Sequence, residues 1–135
     1  FGYNIVKTRL RLGKEKEKLT VVFGQVGTPT YAADLAAAML SVIENAEKGS
    51  FRAGVYHYSN EGVCSWYDFT VKIHQLAGIT DCKVLPVGSD SYPTKARRPH
   101  YSVLDKSKIK DTYQLEIPHW EASLRICLER LAASN

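Results

Sequence analysis

Gly24-Gln25-Val26-Gly27-Thr28-Pro29-Thr30-Tyr31 runs into Ala32-Ala33-Asp34-Leu35-Ala36, between a β-rich run, Leu19 to Phe23, and a helical pattern lasting to about Lys48. Two glycines and a proline between a strand and a helix predict a shaped loop, since Gly permits close approaches and Pro fixes its own φ. Pro29 also pushes Thr28 towards an extended conformation. Thr30 is then expected to cap the helix, with its hydroxyl on a free N–H of the first turn. Asp34 falls near the positive helix end, where a carboxylate is favoured. Such a loop can present Gln25 and the threonine hydroxyls to a polar ligand. From chemistry alone, it reads equally as an ordinary strand-to-helix turn.

Outward from the loop, Asn4 to about Leu12 carries Ile5, Val6, Leu10 and Leu12 at helical spacing, and Gly13 is expected to end that helix. Lys14-Glu15-Lys16-Glu17-Lys18 alternates in charge and reads as a solvated loop or frayed helix end rather than a nucleic-acid patch. Thr30 to about Asn45 predicts a helix with Leu35, Met39, Val42 and Ile43 on its apolar face, stopped at Lys48-Gly49-Ser50. Gly54 to Ser59 predicts a strand, with Val55, His57 and Ser59 on one face and Tyr56 and Tyr58 on the other. After an Asn60-Glu61-Gly62 turn, Ser65 caps a helix through Trp66, Phe69, Ile73 and Leu76, with Asp68 completing a capping box. Cys82 to Val87 reads as a strand, Gly88 to Pro99 as a long loop, and Tyr101 to Leu104 as a short extended segment. Asp105 is expected to open a small helix. Pro118 is expected in the first turn of a last one, whose apolar stripe is Trp120, Leu124, Cys127, Leu128 and Leu131.

The order α, β, α, β, α, β, loop and helices describes a small mixed α/β unit. A chain of 135 residues, 44% hydrophobic and 24% charged, is expected to form one globular domain. A start at Phe1 without Met leads us to expect a piece of something longer. No signal peptide or apolar run near the ~18 residues of a membrane span is visible, so no membrane partner and a cytoplasmic location are expected. The formal net charge of +4 favours anionic ligands. Three widely spaced cysteines and four histidines without a short ligand pair argue against a disulfide framework and a zinc site.

Lys95-Ala96-Arg97-Arg98 lies in the long loop, flanked by Tyr92 and Tyr101. Guanidinium groups bind phosphate oxygens in two-pronged fashion, and aromatic rings beside them stack on a base. The combination suits a nucleoside diphosphate, although a solvated basic loop carries the same residue types. Tyr3-Asn4-Ile5-Val6-Lys7 matches Tyr-x-x-x-Lys, the acid/base pair of short-chain dehydrogenases. We reject the match, because no Rossmann strands precede it. His57, His119 with Trp120, and Ser65-Trp66-Tyr67-Asp68-Phe69 read first as packing and capping residues. No Gly-x-Gly-x-x-Gly fingerprint occurs.

Several motifs together resemble the dTDP-4-dehydrorhamnose reductases. Gln25-Val26-Gly27-Thr28-Pro29-Thr30 followed by Asp34-Leu35-Ala36 is similar to that family's Gln-x-Gly-x-Pro-Thr…Asp-Leu-Ala signature. The run from Gly54 through His57 and Gly62 to Ser65-Trp66-Tyr67-Asp68-Phe69 resembles its Gly-x-x-His…Gly…Ser-Trp-Tyr-x-Phe segment. Arg98-Pro99-x-x-Ser102-Val103-Leu104-Asp105 and Trp120 with Leu124 are similar to two further motifs. Gly24 departs from the family, which usually has Asp there.

The resemblance implies an α/β substrate-binding domain over residues 1–135 of an extended short-chain dehydrogenase, without the N-terminal Rossmann portion. It implies reduction of the 4-keto group of dTDP-4-dehydro-L-rhamnose by NADPH or NADH, giving dTDP-L-rhamnose. The cofactor site and the catalytic Tyr and Lys would lie in the missing portion, so neither cofactor nor catalytic residues are expected in this chain, which alone should be inactive. Its expected partners are a dTDP-sugar, the Rossmann portion and a second copy in a homodimer. The residues expected at the substrate are Arg98 for the diphosphate, Gln25 and Thr30 for polar contacts, and Arg97 as second choice. A non-catalytic subunit resembling the regulatory β subunit of methionine adenosyltransferase, and a related nucleotide-sugar epimerase or dehydratase, are the alternatives.

Overall fold

Chain order alternates helices with short strands, and a computed structural model describes residues 4–134 of it. The order is α1 (Ile5–Glu15), β1 (Lys18–Val22), β2 (Val26–Gly27), α2 (Ala32–Glu47), β3 (Cys64–Ser65), α3 (Trp66–Ala77), β4 (Lys83–Val87), α4 (Ser107–Tyr113) and α5 (Trp120–Ala133). A single 3-10 turn, Ser89–Ser91, follows β4. The expected mixed α/β architecture is present. Its strands form two separate pairs: β1 with β4 in parallel, and β2 with β3 antiparallel.

The core lies where α1, α3 and α5 meet. Val6, Phe69, Ile73, Trp120 and Leu124 are buried there with Cys64. Phe69 meets Trp66 and Trp120 edge-on, with ring centroids 6.3 Å and 5.9 Å apart. Each such pair contributes about 0.5–1.5 kcal/mol beyond its buried area. A second cluster, Leu19, Val21 and Cys82, lies at the β1–β4 pair, with Leu12, Tyr67, Ile79 and Val84 packed against it. The Ser65–Asp68 capping box forms as expected: the Ser65 hydroxyl accepts from Asp68 N and the carboxylate accepts from Ser65 N.

Several local expectations are corrected. Gly13 does not end α1 but sits buried inside it, where an added Cβ would meet His74 Nε2 at 2.6 Å. This glycine provides close helix–helix approach, not termination. Residues 51–60 form no strand. The alternation is real, with Tyr56 and Tyr58 half-buried between exposed Val55 and His57, but no strand pairs beside it. Lys108 Nζ instead donates to Val55 O at 2.8 Å, and Tyr56 OH to Arg52 O at 2.8 Å.

Helix starts also move. Tyr31, not Thr30, is the residue before α2, and no side chain caps that end. Lys106 rather than Asp105 precedes α4, although the Asp105 carboxylate accepts from Ser107 N at 2.9 Å. His119 precedes α5, so Pro118 lies one residue outside the helix. Pro118 O is used across the fold, accepting from Glu61 N at 3.0 Å and Asn60 Nδ2 at 3.1 Å. The expected inner face of α2 is exposed: Leu35, Met39 and Ile43 are 38%, 58% and 51% accessible, and only Ala38 is buried.

Candidate ligand-binding cleft

The loop from Gly24 to Tyr31 is held from three sides. Val26 pairs with Ser65 in β3, while Val26 N donates to His100 O and Val26 O accepts from Ser102 N, at 2.8 Å and 2.9 Å. Gly27 lies close to the Ser102 side chain, whose hydroxyl would have to turn aside for an added Cβ 2.7 Å away. The Thr28 hydroxyl donates to Gly62 O. At the far end, Tyr31 N donates to Asn60 Oδ1 at 2.7 Å.

Asn60 is fully buried and works as a junction. Its amide nitrogen donates to Asp34 Oδ2 at 2.7 Å and to Pro118 O and Ser123 Oγ at 3.1 Å. Ser123 in turn donates to Asp34 Oδ2. Lys106, also buried, donates from Nζ to Asn60 O at 3.0 Å and lies 3.4 Å from Glu61 Oε1. Buried polar groups demand partners, and these residues supply them to one another across four segments of chain. The loop is thereby fixed to the body of the domain.

This loop and the segment from Arg98 to Leu104 enclose a cleft of about 320 Å³. Gln25, Thr30 and Arg98, three of the residues expected at a substrate, line it together, with Tyr58, Trp66 and Leu104. Arg97 is exposed and does not line it. Lys95 is likewise exposed outside the cleft. Thr30 is freed for the cleft because its expected capping duty is not performed. A smaller recess of about 160 Å³ shares Gln25, Trp66 and Arg98 with the main cleft and is closed by Arg9, Tyr92 and Thr94. An apolar groove of about 370 Å³ continues on the other side of Thr28, Pro29 and Thr30, over Phe69, Trp120 and Leu124.

The wall chemistry favours binding over covalent catalysis. Burial, with Asp68 and Glu121 nearby, pushes the Cys64 thiol up to about 12, so it stays protonated. Burial and the Asp34 charge raise the Tyr58 hydroxyl above its ordinary value. Among the described residues, no three His, Cys, Asp or Glu side chains converge as metal ligands, and no helix is long and apolar enough to cross a membrane. His119 takes a capping role, with Nδ1 accepting from Glu121 N at 3.2 Å, and Trp120 is buried as a packing residue. Tyr3 of the rejected Tyr-x-x-x-Lys match lies outside the described residues.

Sequence reasoning missed Arg9, Tyr58, Asn60 and Lys106. Arg9 read as the polar side of α1 and Tyr58 as a strand face. Asn60 read as a turn residue, and nothing in the sequence singled out Lys106. Trp66 was read as a core residue, yet 38% of its surface is open, and it forms the shared wall of all three cavities.

A small α/β domain whose anchored loop, basic arm and aromatic wall enclose an open cleft is a ligand-binding module. The family model described as the RmlD substrate binding domain matches residues 1–133, and the chain belongs to that family. It is 37% identical over 133 residues to the spore coat polysaccharide biosynthesis protein SpsK of Bacillus subtilis, covering 98% of this chain and 44% of the relative. It is 37% identical over 135 residues to dTDP-4-dehydrorhamnose reductase of Escherichia coli K12, covering 96% of this chain and 45% of that one. A solved structure of dTDP-4-dehydrorhamnose reductase from Bacillus anthracis, in complex with NADP, superposes with a TM-score of 0.85 at 38% identity, over 100% of this chain and 44% of that chain. The chain therefore spans less than half the length of these relatives.

Proposed function

We propose that residues 1–135 are the C-terminal nucleotide-sugar-binding domain of a cytoplasmic reductase that converts dTDP-4-dehydro-L-rhamnose to dTDP-L-rhamnose with NADPH. The observation that carries the reading is the convergence of Gln25, Thr30 and Arg98 on one cleft in a chain of this family. Arg98 binds the diphosphate, because a guanidinium meets phosphate oxygens with paired, charge-assisted hydrogen bonds. Gln25 and Thr30 hold the sugar or the nucleoside by neutral hydrogen bonds. Arg97 serves only as a neighbouring charge. Together these contacts orient the keto group, and orientation alone supplies a large part of a rate enhancement.

The residues of this chain do not suit the dinucleotide. The glycine-bearing loop before α2 is interrupted by β2, Thr28 and Tyr31 spend their groups inside the fold, and Gly88 after β4 opens only a three-residue 3-10 turn. A dinucleotide needs a tight glycine turn opening directly onto a helix N-terminus. The cofactor site and the proton donor are accordingly assigned to the Rossmann portion of the longer protein, and this chain alone is inactive. A homodimer is the expected assembly of that protein.

The full-length protein is tested with NADPH and dTDP-4-dehydro-L-rhamnose while cofactor absorbance is followed and the product is analysed. Cofactor oxidation with formation of dTDP-L-rhamnose is expected. An isomeric nucleotide-sugar formed without net oxidation would identify an epimerase. Binding without turnover would identify a non-catalytic subunit of the methionine adenosyltransferase β type.

A further inference from the structure

Arg9 sits on α1, far in sequence from the basic loop, yet it lines the same recess as Arg98, with Gln25, Trp66 and Tyr92. Its Nε is buried without a hydrogen-bond partner. Among the described residues, neither the Arg9 nor the Arg98 guanidinium has an ion pair or a hydrogen bond. No Asp or Glu lines the recess or the main cleft that it joins. Burial lowers the Arg9 pKa from its ordinary value, but a guanidinium remains charged at any physiological pH.

Half-buried Arg9 and exposed Arg98 thus bring two permanent cations to one recess with no carboxylate among its lining residues. Holding the Arg9 charge partly out of water without a partner is costly. An anion entering the recess removes that cost and gains charge-assisted hydrogen bonds to both forks. The recess is small, carries both arginines with Gln25 and Thr94, and shares Gln25, Trp66 and Arg98 with the larger cleft, which suits a phosphoryl group in the recess and the rest of the ligand beyond it. We propose that Arg9 is the second arm of an anion clamp with Arg98, so that the two guanidiniums grip the adjacent phosphate groups of a nucleoside diphosphate from opposite sides. The inference rests on the nucleotide-sugar reading for the identity of the ligand, but not for the clamp itself.

Isothermal titration of the full-length protein with dTDP, dTMP and inorganic pyrophosphate tests it, in the wild type and in Arg9→Gln, Arg9→Lys and Arg98→Gln. Arg9→Gln should weaken dTDP binding about tenfold or more and dTMP binding far less, with an unchanged melting temperature. Arg9→Lys keeps the charge but loses the fork and should fall between the two. Should Arg9→Gln fail to fold, Arg9→Lys decides, and an affinity for dTDP equal to the wild type overturns the clamp. Unchanged dTDP affinity in a folded Arg9→Gln, beside a loss in Arg98→Gln, also overturns the role of Arg9 while leaving the nucleotide reading intact. Pyrophosphate binding that disappears in Arg9→Gln, in a protein that does not bind dTDP, supports the clamp and overturns the nucleotide reading. A wild-type protein that binds none of the three overturns both.

Discussion

The two walls of the cleft are built in opposite ways. The Gly24–Tyr31 wall is tied down by backbone pairing to Ser65 and His100, by Thr28 on Gly62 O, and by the buried Asn60 junction. The arm from residue 88 to 99, which reaches the cleft through Arg98 and Pro99, carries the charges but little support. Its side chains are exposed over residues 91–100, and the Thr94 hydroxyl bonds only to Ala96 O, two residues away. One wall sets shape and the other supplies attraction. Substitutions in the first should act through the fold, and substitutions in the second should act on the ligand alone.

The largest effect is expected at the junction. Asn60→Ala strips partners from Tyr31 N, Asp34, Ser123 and Pro118 O at once. Tyr31 N is left unpaired, at about 1–3 kcal/mol, and Asp34, Ser123 and Pro118 O each lose one bond of about 1 kcal/mol while keeping another, so we expect roughly 3 kcal/mol or more of lost stability, read as a lowered denaturation midpoint. A loss below about 1 kcal/mol would show that the polar junction does not fix the loop. Gly62→Ala comes next. Its φ of +90° disfavours any side chain, and an added Cβ would run into the His119 ring and meet Trp120 Cδ1 at 2.8 Å. About 2 kcal/mol of destabilisation is expected, measured by thermal or chemical unfolding. If Gly62→Ala is as stable as the wild type, the path on which Thr28 depends is not rigid.

Pro29→Gly sharpens the comparison, because it should cost only roughly 0.4–1 kcal/mol of stability through the freer unfolded chain. The same change loosens Gln25 and Thr30 and should reduce turnover of the full-length enzyme by more than that stability loss explains. Equal turnover with a lowered melting temperature would make the loop a scaffold only. The smallest effect is expected at Lys16→Ala, an exposed charge beyond α1, with a change within about 0.5 kcal/mol and none in ligand affinity.

Helical periodicity and capping chemistry were legible in the sequence because they depend on near neighbours. The Ser65–Asp68 box and the Trp120–Leu124 stripe formed as read. Residues 51–60 show where local reading stops: alternation marks an extended segment, but a strand also requires a neighbour to pair with. Gly13 shows the same limit, since its role is set by His74, which lies on another helix. In the cleft, Gln25, Thr30 and Arg98 stood out by resemblance and residue chemistry. Arg9 and Asn60 did not, because nothing beside them in the chain signals what they face. Arg97 and Arg98 are indistinguishable as residue types, and only the folded chain, which brings Arg98 and not Arg97 to the cleft, separates them.

The most direct test of the cleft is the Michaelis constant for dTDP-4-dehydro-L-rhamnose, the proposed substrate, in the full-length protein carrying Arg98→Ala. Loss of a charge-assisted contact worth roughly 1.5–3 kcal/mol predicts a rise of about tenfold or more, with the melting temperature unchanged because Arg98 is exposed and makes no internal bond. An unchanged Michaelis constant and turnover would contradict the assignment of this cleft to the nucleotide-sugar.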